Sequence, residues 1–519
     1  MKNFPSIFIK PKSLSKNPKK LLLVKIWSFK TILYTTNMKI LLAASECDPF
    51  AKVGGLGDVI PALATELKKL GHDIRIVLPK YGSINFTSNF RTVGGPLYVN
   101  MGYGLEFAKV LETQLNDINV YFIEFNRYFA RNGIYGEFGS GYDDNWERFA
   151  FFNRAVLDLC EHIQWSPDII HCNDWPTGLI PALLTSNNVP STIKNSASVY
   201  TIHNMAHHGY APKELIKFVG LPEHYYHPFA TEALSAVNFM KCALQFSKKI
   251  TTVSPRYSEE IKTKGQGYGL DDVLRYRAAD LIGILNGIDT NTWDPQTDKF
   301  ITKNFSVESM SGKQVCKLAL QKELNLPIDE KIPIFGVISR LYEQKGLDYL
   351  CHIIGDIVKS MNVQFTILGS GDPKLEKNFS KLSQKYPNEI AVKIGYDNRL
   401  SHMIEAGSDF FVMPSRYEPC GLNQMYSMRY GTLPIVHYTG GLADTVENYD
   451  EKTGEGTGFV FYDMKREALY NTIGWACSTF YNKKDDIRKM QKRAMQKDFS
   501  WRKSAKLYVD VYKAAINCR

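Results

Sequence analysis

Three short segments of this 519-residue sequence combine cations, glycines and a carboxylate in a way that suits an anionic or hydroxyl-rich ligand. The first is Lys52-Val53-Gly54-Gly55-Leu56-Gly57-Asp58-Val59. Paired glycines let a ligand approach the backbone, and a helix start beyond them offers free N–H groups and about half a positive charge. Lys52 adds a mobile cation, so this is a seat for a phosphate or a sugar, with a plain strand-to-helix turn as the alternative. It is no Walker loop, since no Gly-Lys-Ser/Thr follows, and Ile60 stands where the last glycine of G-x-G-x-x-G belongs. The second segment, Ser339 to Leu347, places Arg340 and Lys345 five residues apart after an apolar run. Arg offers a fork of donors and Lys a point charge, a pair able to clamp a diphosphate; a solvated basic loop is the alternative. In the third, Glu418 lies between Pro414 and Pro419, with Gly421 expected to open a helix. A carboxylate held so stiffly suits sugar hydroxyls, because phosphate would repel it. His171-Cys172-Asn173-Asp174 and His203-Asn204-Met205 also follow apolar runs.

The elements that must carry these residues follow from hydropathy. Apolar runs rich in Ile and Val fall at 39–44, 73–78, 168–172, 198–202 and 248–253 in the first half. In the second half they fall at 281–286, 332–338, 363–368, 389–394, 410–413 and 433–437. Near-continuous apolar strands separated by helix-length stretches predict parallel sheets with helices on both faces. Leu56, Val59, Ile60, Leu63, Leu67 and Leu70 at 3–4-residue spacing predict a helix stopped by Gly71. The first glycine loop is echoed by Tyr438-Thr439-Gly440-Gly441-Leu442-Ala443-Asp444-Thr445, which predicts two similarly built α/β domains. The change of domain is expected near Leu285 to Asp289. Chemistry in such sheets sits at the carboxyl ends of the strands.

Composition excludes other classes. Apolar residues make up 44% and charged residues 22%, an ordinary soluble globular balance. No run after residue 40 approaches the roughly 20 apolar residues of a spanning helix. Of the ten formal net positive charges, eight come from lysines in residues 1–37, which hold no Asp or Glu. The body is almost neutral, so a nucleic-acid groove is not expected. This head reads either as a targeting peptide or as an upstream misassigned start before Met38. Nine cysteines without a CxxC pair predict reduced thiols, and no spacing predicts a metal site.

Taken together, seven segments resemble the bacterial glycogen synthase and plant starch synthase family (glycosyltransferase family 5), retaining glucosyltransferases of the GT-B fold. They are KVGGLGDV (52–59), HCNDWPTGL (171–179), TIHNMA (201–206), LNGID (285–289), SRLYEQKGLD (339–348), PSRYEPCGLNQMYSMRYGTLP (414–434) and TGGLADTV (439–446), in the family's order. The resemblance implies two Rossmann-like, doubly wound domains with a cleft between them. It divides the chain into a head (1–37), an acceptor-side domain (38–281), a donor-side domain (282–496) and a C-terminal helix (497–519) packing back on the first domain.

The resemblance also implies roles. Arg340 and Lys345 stabilise the leaving nucleotide diphosphate, and Glu418 holds the glucose hydroxyls. His203 lies near the C6 hydroxyl, and Asp144 with Asn145 matches an active-site Asp-Asn pair. Lys52, Gly54, Gly55, Asn286, Cys420, Gly421, Leu422, Thr439, Gly440 and Gly441 line the donor. The implied reaction moves glucose from ADP-glucose to the non-reducing end of an α-1,4-glucan with retention, without metal or cofactor. A cytoplasmic location is implied, or the plastid stroma if the head is a transit peptide. Tyr426 stands where many other retaining relatives have a second glutamate. The family's usual Tyr-Gln is His207-His208 here, and its Gly-Gly is Cys242-Ala243. UDP-glucose as donor, a non-catalytic glucan-binding relative and a nicotinamide oxidoreductase are the competing readings; the missing third glycine counts against the last.

Overall fold

The computed structural model describes residues 37–84, 89–137 and 139–518, so the reading of the basic head lies outside the described residues. From Asn37 onward the chain forms one compact unit with two parallel sheets. In the first, strands run in the order Leu281–Gly283, Lys249–Thr252, Ala197–Ile202, Ile169–Asn173, Lys39–Ala43, Asp73–Pro79 and Ile118–Glu124, all parallel. Gly104–Leu115 then adds antiparallel, with Arg91–Thr92 and Leu97–Met101 paired to it. The second sheet is wholly parallel: Ile390–Ile394, Gln364–Gly369, Ile334–Ile338, Phe410–Met413, Leu433–His437 and Phe459–Phe461.

Two expectations change. The strand at 281–283, expected with the second half, hydrogen-bonds to Lys249–Thr252 and closes the first sheet. The antiparallel extension at 91–115 is not among the expected strands, because Lys109, Glu112 and Gln114 interrupt its apolar run.

The helix Gly55–Lys69 buries Leu56, Val59, Ile60, Leu63 and Leu67, and Gly71 in the left-handed region ends it. Each such side chain contributes roughly 1.5–3 kcal/mol on burial. The last helix, Trp501–Asn517, buries Trp501, Tyr508 and Tyr512 in the core of the first lobe. Tyr512 Oη lies 2.9 Å from His171 Nδ1, and Ser504 donates to the carbonyl of Leu285 at 2.5 Å. His171 is thus fully buried in a structural bond, not turned to a site. No helix among the described residues is long and apolar enough to cross a membrane.

Candidate active site

In the second lobe, the loops after Ile334–Ile338 and Phe410–Met413 leave adjacent parallel strands, so they emerge side by side. Gly346 is left-handed (φ 65°), and a Cβ there would lie 1.8 Å from the carbonyl oxygen of Pro414. Glycine is therefore what lets the two loops press together. Arg416 fastens them: its amide donates to Gln344 O at 2.8 Å, and its guanidinium grips Asp348 through both oxygens at 2.7 and 2.8 Å. The result brings Lys345 Nζ to 2.6 Å from Glu418 Oε2. Ser415 Oγ donates to the same oxygen at 2.9 Å, and Glu418 is 5% exposed. Arg340, on the same loop as Lys345, is exposed. The imidazole of His207, from the other lobe, is held below its usual pKa by burial and by the charge of Arg340. The helix expected at Gly421 begins at Asn423; Gly421 is a left-handed residue before it. The amides of Leu422 and Asn423 find no partner among the described residues, as the open end of a helix requires.

In the first lobe, Ile169–Asn173 and Ala197–Ile202 are neighbours, and their carboxyl ends deliver Asp174 and His203 to one spot. His203 N donates to Asp174 Oδ1 at 2.7 Å, and its Nε2 lies 3.0 Å from Asn173 Oδ1. Burial lowers the His203 pKa to about 3 and raises that of Asp174 to about 7. Asp174 adopts φ 56°, ψ 177°, a conformation that favours glycine and that persists only where the surroundings enforce it. Asp174 lies within the 171–179 segment, and nothing in its sequence neighbourhood marks this conformation. Asp144 is held by Arg131, which grips both its oxygens at 2.6 Å, and it shares no hydrogen bond with Arg340, Lys345 or Glu418. Asn145 bonds Tyr135 O at 2.8 Å, and Tyr135 Oη in turn bonds Glu46 at 2.7 Å.

Glu46 holds the approach to the first glycine loop: its Oε2 accepts from the amides of Val53 and Gly54 at 2.7 and 2.8 Å, just before the helix start at Gly55. Lys52 is ion-paired with Asp58. At Gly54 and Gly55 an added Cβ would meet nothing within 4 Å, so open space adjoins them. The second turn is the opposite. A Cβ on Gly440 (φ 42°) would lie 2.0 Å from Glu418 O, and one on Gly441 2.0 Å from Cys420 O. Gly440 N and Thr439 Oγ1 both donate to Glu260 of the first lobe, at 3.1 Å. Cys420 is buried against the Asn286 backbone, and burial pushes its thiol up to about 12. Asn286 is buried with Oδ1 unpartnered among the described residues.

Between the lobes opens a cavity of about 1060 Å³, lined by Lys52 and Asp58 from one side and Ile338, Tyr396, Leu422, Asn423 and Tyr426 from the other. The Tyr396 ring is 82% exposed. Cations, open amides and an aromatic face around one cavity can receive a nucleoside diphosphate. Among the described residues no cluster of three or more His, Cys, Asp or Glu is placed to hold a metal.

Comparison with known proteins agrees with this fold. Residues 39–276 match the starch synthase catalytic domain family, and residues 321–494 match the group 1 glycosyl transferases. The chain is 45% identical to the glycogen synthase of Treponema denticola over 486 residues, spanning 92% of this chain and 99% of that one. Its fold matches the catalytic domain of starch synthase IV from Arabidopsis thaliana, solved with ADP and acarbose, with TM-score 0.86 and 33% identity over 93% of this chain and all of that one. Sucrose-phosphate synthase from Thermosynechococcus elongatus, 17% identical with TM-score 0.58 over 93% of this chain and all of that one, shares the fold alone. A parallel-sheet two-lobed GT-B enzyme with these relatives across nearly its whole length belongs to the glycogen and starch synthase family of glycosyltransferases.

Proposed function

We propose that this glycosyltransferase moves glucose from ADP-glucose to the non-reducing end of an α-1,4-glucan, with retention of configuration. The observation that carries the site assignment is the 2.6 Å Lys345–Glu418 pair at the strand ends, with Arg340 exposed on the same loop as Lys345. As the glycosidic bond to phosphate breaks, negative charge grows on the departing diphosphate while the sugar becomes oxocarbenium-like. Arg340, Lys345 and the open amides of Leu422 and Asn423 are preorganised to receive that charge. Glu418 keeps Oε1 for glucose hydroxyls once Oε2 is engaged by Lys345 and Ser415. Lys52 reaches the diphosphate from the opposite lobe when Asp58 releases it, and the openness at Gly54 and Gly55 leaves room for the ligand. His203, neutral through burial, serves as a hydrogen-bonding group, and Asp174 fixes its backbone. The Tyr396 face suits a nucleobase. Tyr426 stands where many other retaining relatives have a second glutamate, which favours attack on the donor's own leaving face, with the phosphate oxygen taking the acceptor proton.

ADP-glucose is favoured over UDP-glucose because the relative of known structure was solved with ADP and the sequence relatives are bacterial glycogen synthases. All nine cysteines are free thiols, which supports a reducing compartment such as the cytoplasm. Incubating the enzyme with glycogen and each labelled donor tests the reading. Label enters the polymer from ADP-glucose; incorporation from UDP-glucose alone, or from neither, contradicts it.

A further inference from the structure

The second glycine turn is gripped by the first lobe. Glu260 ends the helix Pro255–Glu260, and its carboxylate is 13% exposed. Both its oxygens lie 3.1 Å from Gly440 N, one of them 3.1 Å from Thr439 Oγ1, and Arg256 Nε reaches it at 3.0 Å. The grip is reciprocal. Asp444 of the second lobe accepts from Arg256 N at 2.8 Å, and Ser254 Oγ donates to Pro419 O at 2.7 Å. Each lobe thus supplies a carboxylate to backbone amides of the other.

The turn held by Glu260 is itself seated on the loop of Glu418. Gly441 N donates to Glu418 O at 3.1 Å and Pro419 O at 3.2 Å. The 2.0 Å clearances at Gly440 and Gly441 leave no slack between turn and loop. A shift of the turn therefore moves the Glu418 backbone, because close-packed backbone transmits displacement rather than absorbing it.

We propose that Glu260 is a positioning residue for transfer: it acts from the first lobe through Thr439 and Gly440 to set Glu418 against Lys345. Thr439 and Gly440 then serve as the link between lobes, not as donor contacts. This rests on Glu418 being the sugar-holding residue.

A double-mutant cycle tests it, read as kcat with saturating ADP-glucose and glycogen. Misplacing a group at the reacting centre by about 1 Å costs on the order of 100-fold. Glu260→Ala is therefore expected to lower kcat by about 10- to 100-fold, while Glu260→Gln, which keeps one acceptor oxygen, recovers to within about fivefold of wild type. In a Glu418→Gln background, Glu260→Ala is expected to cost less than about threefold, since the residue it positions has already been disabled. The same fold loss in both backgrounds would overturn the proposal, assigning Glu260 to the fold alone. So would undiminished kcat in Glu260→Ala. If Glu418→Gln alone keeps wild-type turnover, the reading of Glu418 fails first and the proposal with it. Should Glu260→Ala not fold, Glu260→Gln in both backgrounds gives the same comparison on a smaller scale.

Discussion

Glu418 is a buried carboxylate with one oxygen committed to Lys345 and Ser415. That arrangement suits holding a hydroxyl, and Glu418→Gln separates holding from proton transfer. The variant keeps shape and acceptor but loses charge, and charge-assisted bonds are about twice as strong as neutral ones. Turnover is expected to fall with the pH profile of kcat/KM unchanged in form; loss of one limb of the profile would make Glu418 a general acid or base. The glycines divide in the same concrete way. Gly55→Ala meets open space and gains roughly 0.5–1 kcal/mol from helix propensity. Its melting temperature should hold or rise while KM for the donor increases. Gly441→Ala drives a Cβ into Cys420 O and is expected to cost about 1–3 kcal/mol of stability. Equal melting temperatures for the two variants would show that the packing at Gly441 is looser than described. Lys345, Arg340 and Glu418 stand out in the sequence because each sits in a compact motif of charged, glycine and proline residues. Glu46 and Glu260 do not: each binds a backbone amide of a glycine turn among its partners, and Glu260 lies 180 residues from Gly440 in an ordinary charged helix. Nothing in a side chain's own neighbourhood announces such a bond.

At the scale of elements, parallel strands buried on both faces spell themselves out as apolar runs, and the expected 410–413 and 433–437 are the observed Phe410–Met413 and Leu433–His437. Gly104–Leu115 escaped because a strand with one exposed face carries polar residues that break the apolar run, and Phe459–Phe461 because three residues make no pattern. The docking of the last helix carries its own prediction. Burial lowers the His171 pKa to about 3, against roughly 6.5 in the unfolded chain. Between these values the unfolded state binds the extra proton, so stability rises with pH and falls as pH drops below about 6.5. His171→Gln should therefore show a shallower loss of stability between pH 6.5 and 5 in denaturant titrations. An unchanged slope would contradict a buried neutral imidazole. Tyr512→Phe, which removes the hydroxyl at His171, is expected to cost about 1–2 kcal/mol at pH 7.

The whole molecule places cations on both lobes: Lys52 lines the cavity from the first, and Arg340 and Lys345 lie on the loop that follows Ile338 at a carboxyl-terminal sheet edge of the second. Because these charges are covalently part of the chain, activity should survive exhaustive EDTA treatment. A dialysed enzyme inactive until Mg²⁺ or Mn²⁺ is restored would require a different source of charge stabilisation. The central claim is that the side-chain cations act on the charge that develops as the diphosphate leaves. Steady-state kinetics of Arg340→Ala and Lys345→Ala with ADP-glucose and glycogen test it most directly. Removal of one such preorganised donor typically costs about 3 kcal/mol, or on the order of 100-fold. Each variant is expected to lose about that much in kcat, with KM for glycogen little changed; near-normal turnover in both would contradict the account.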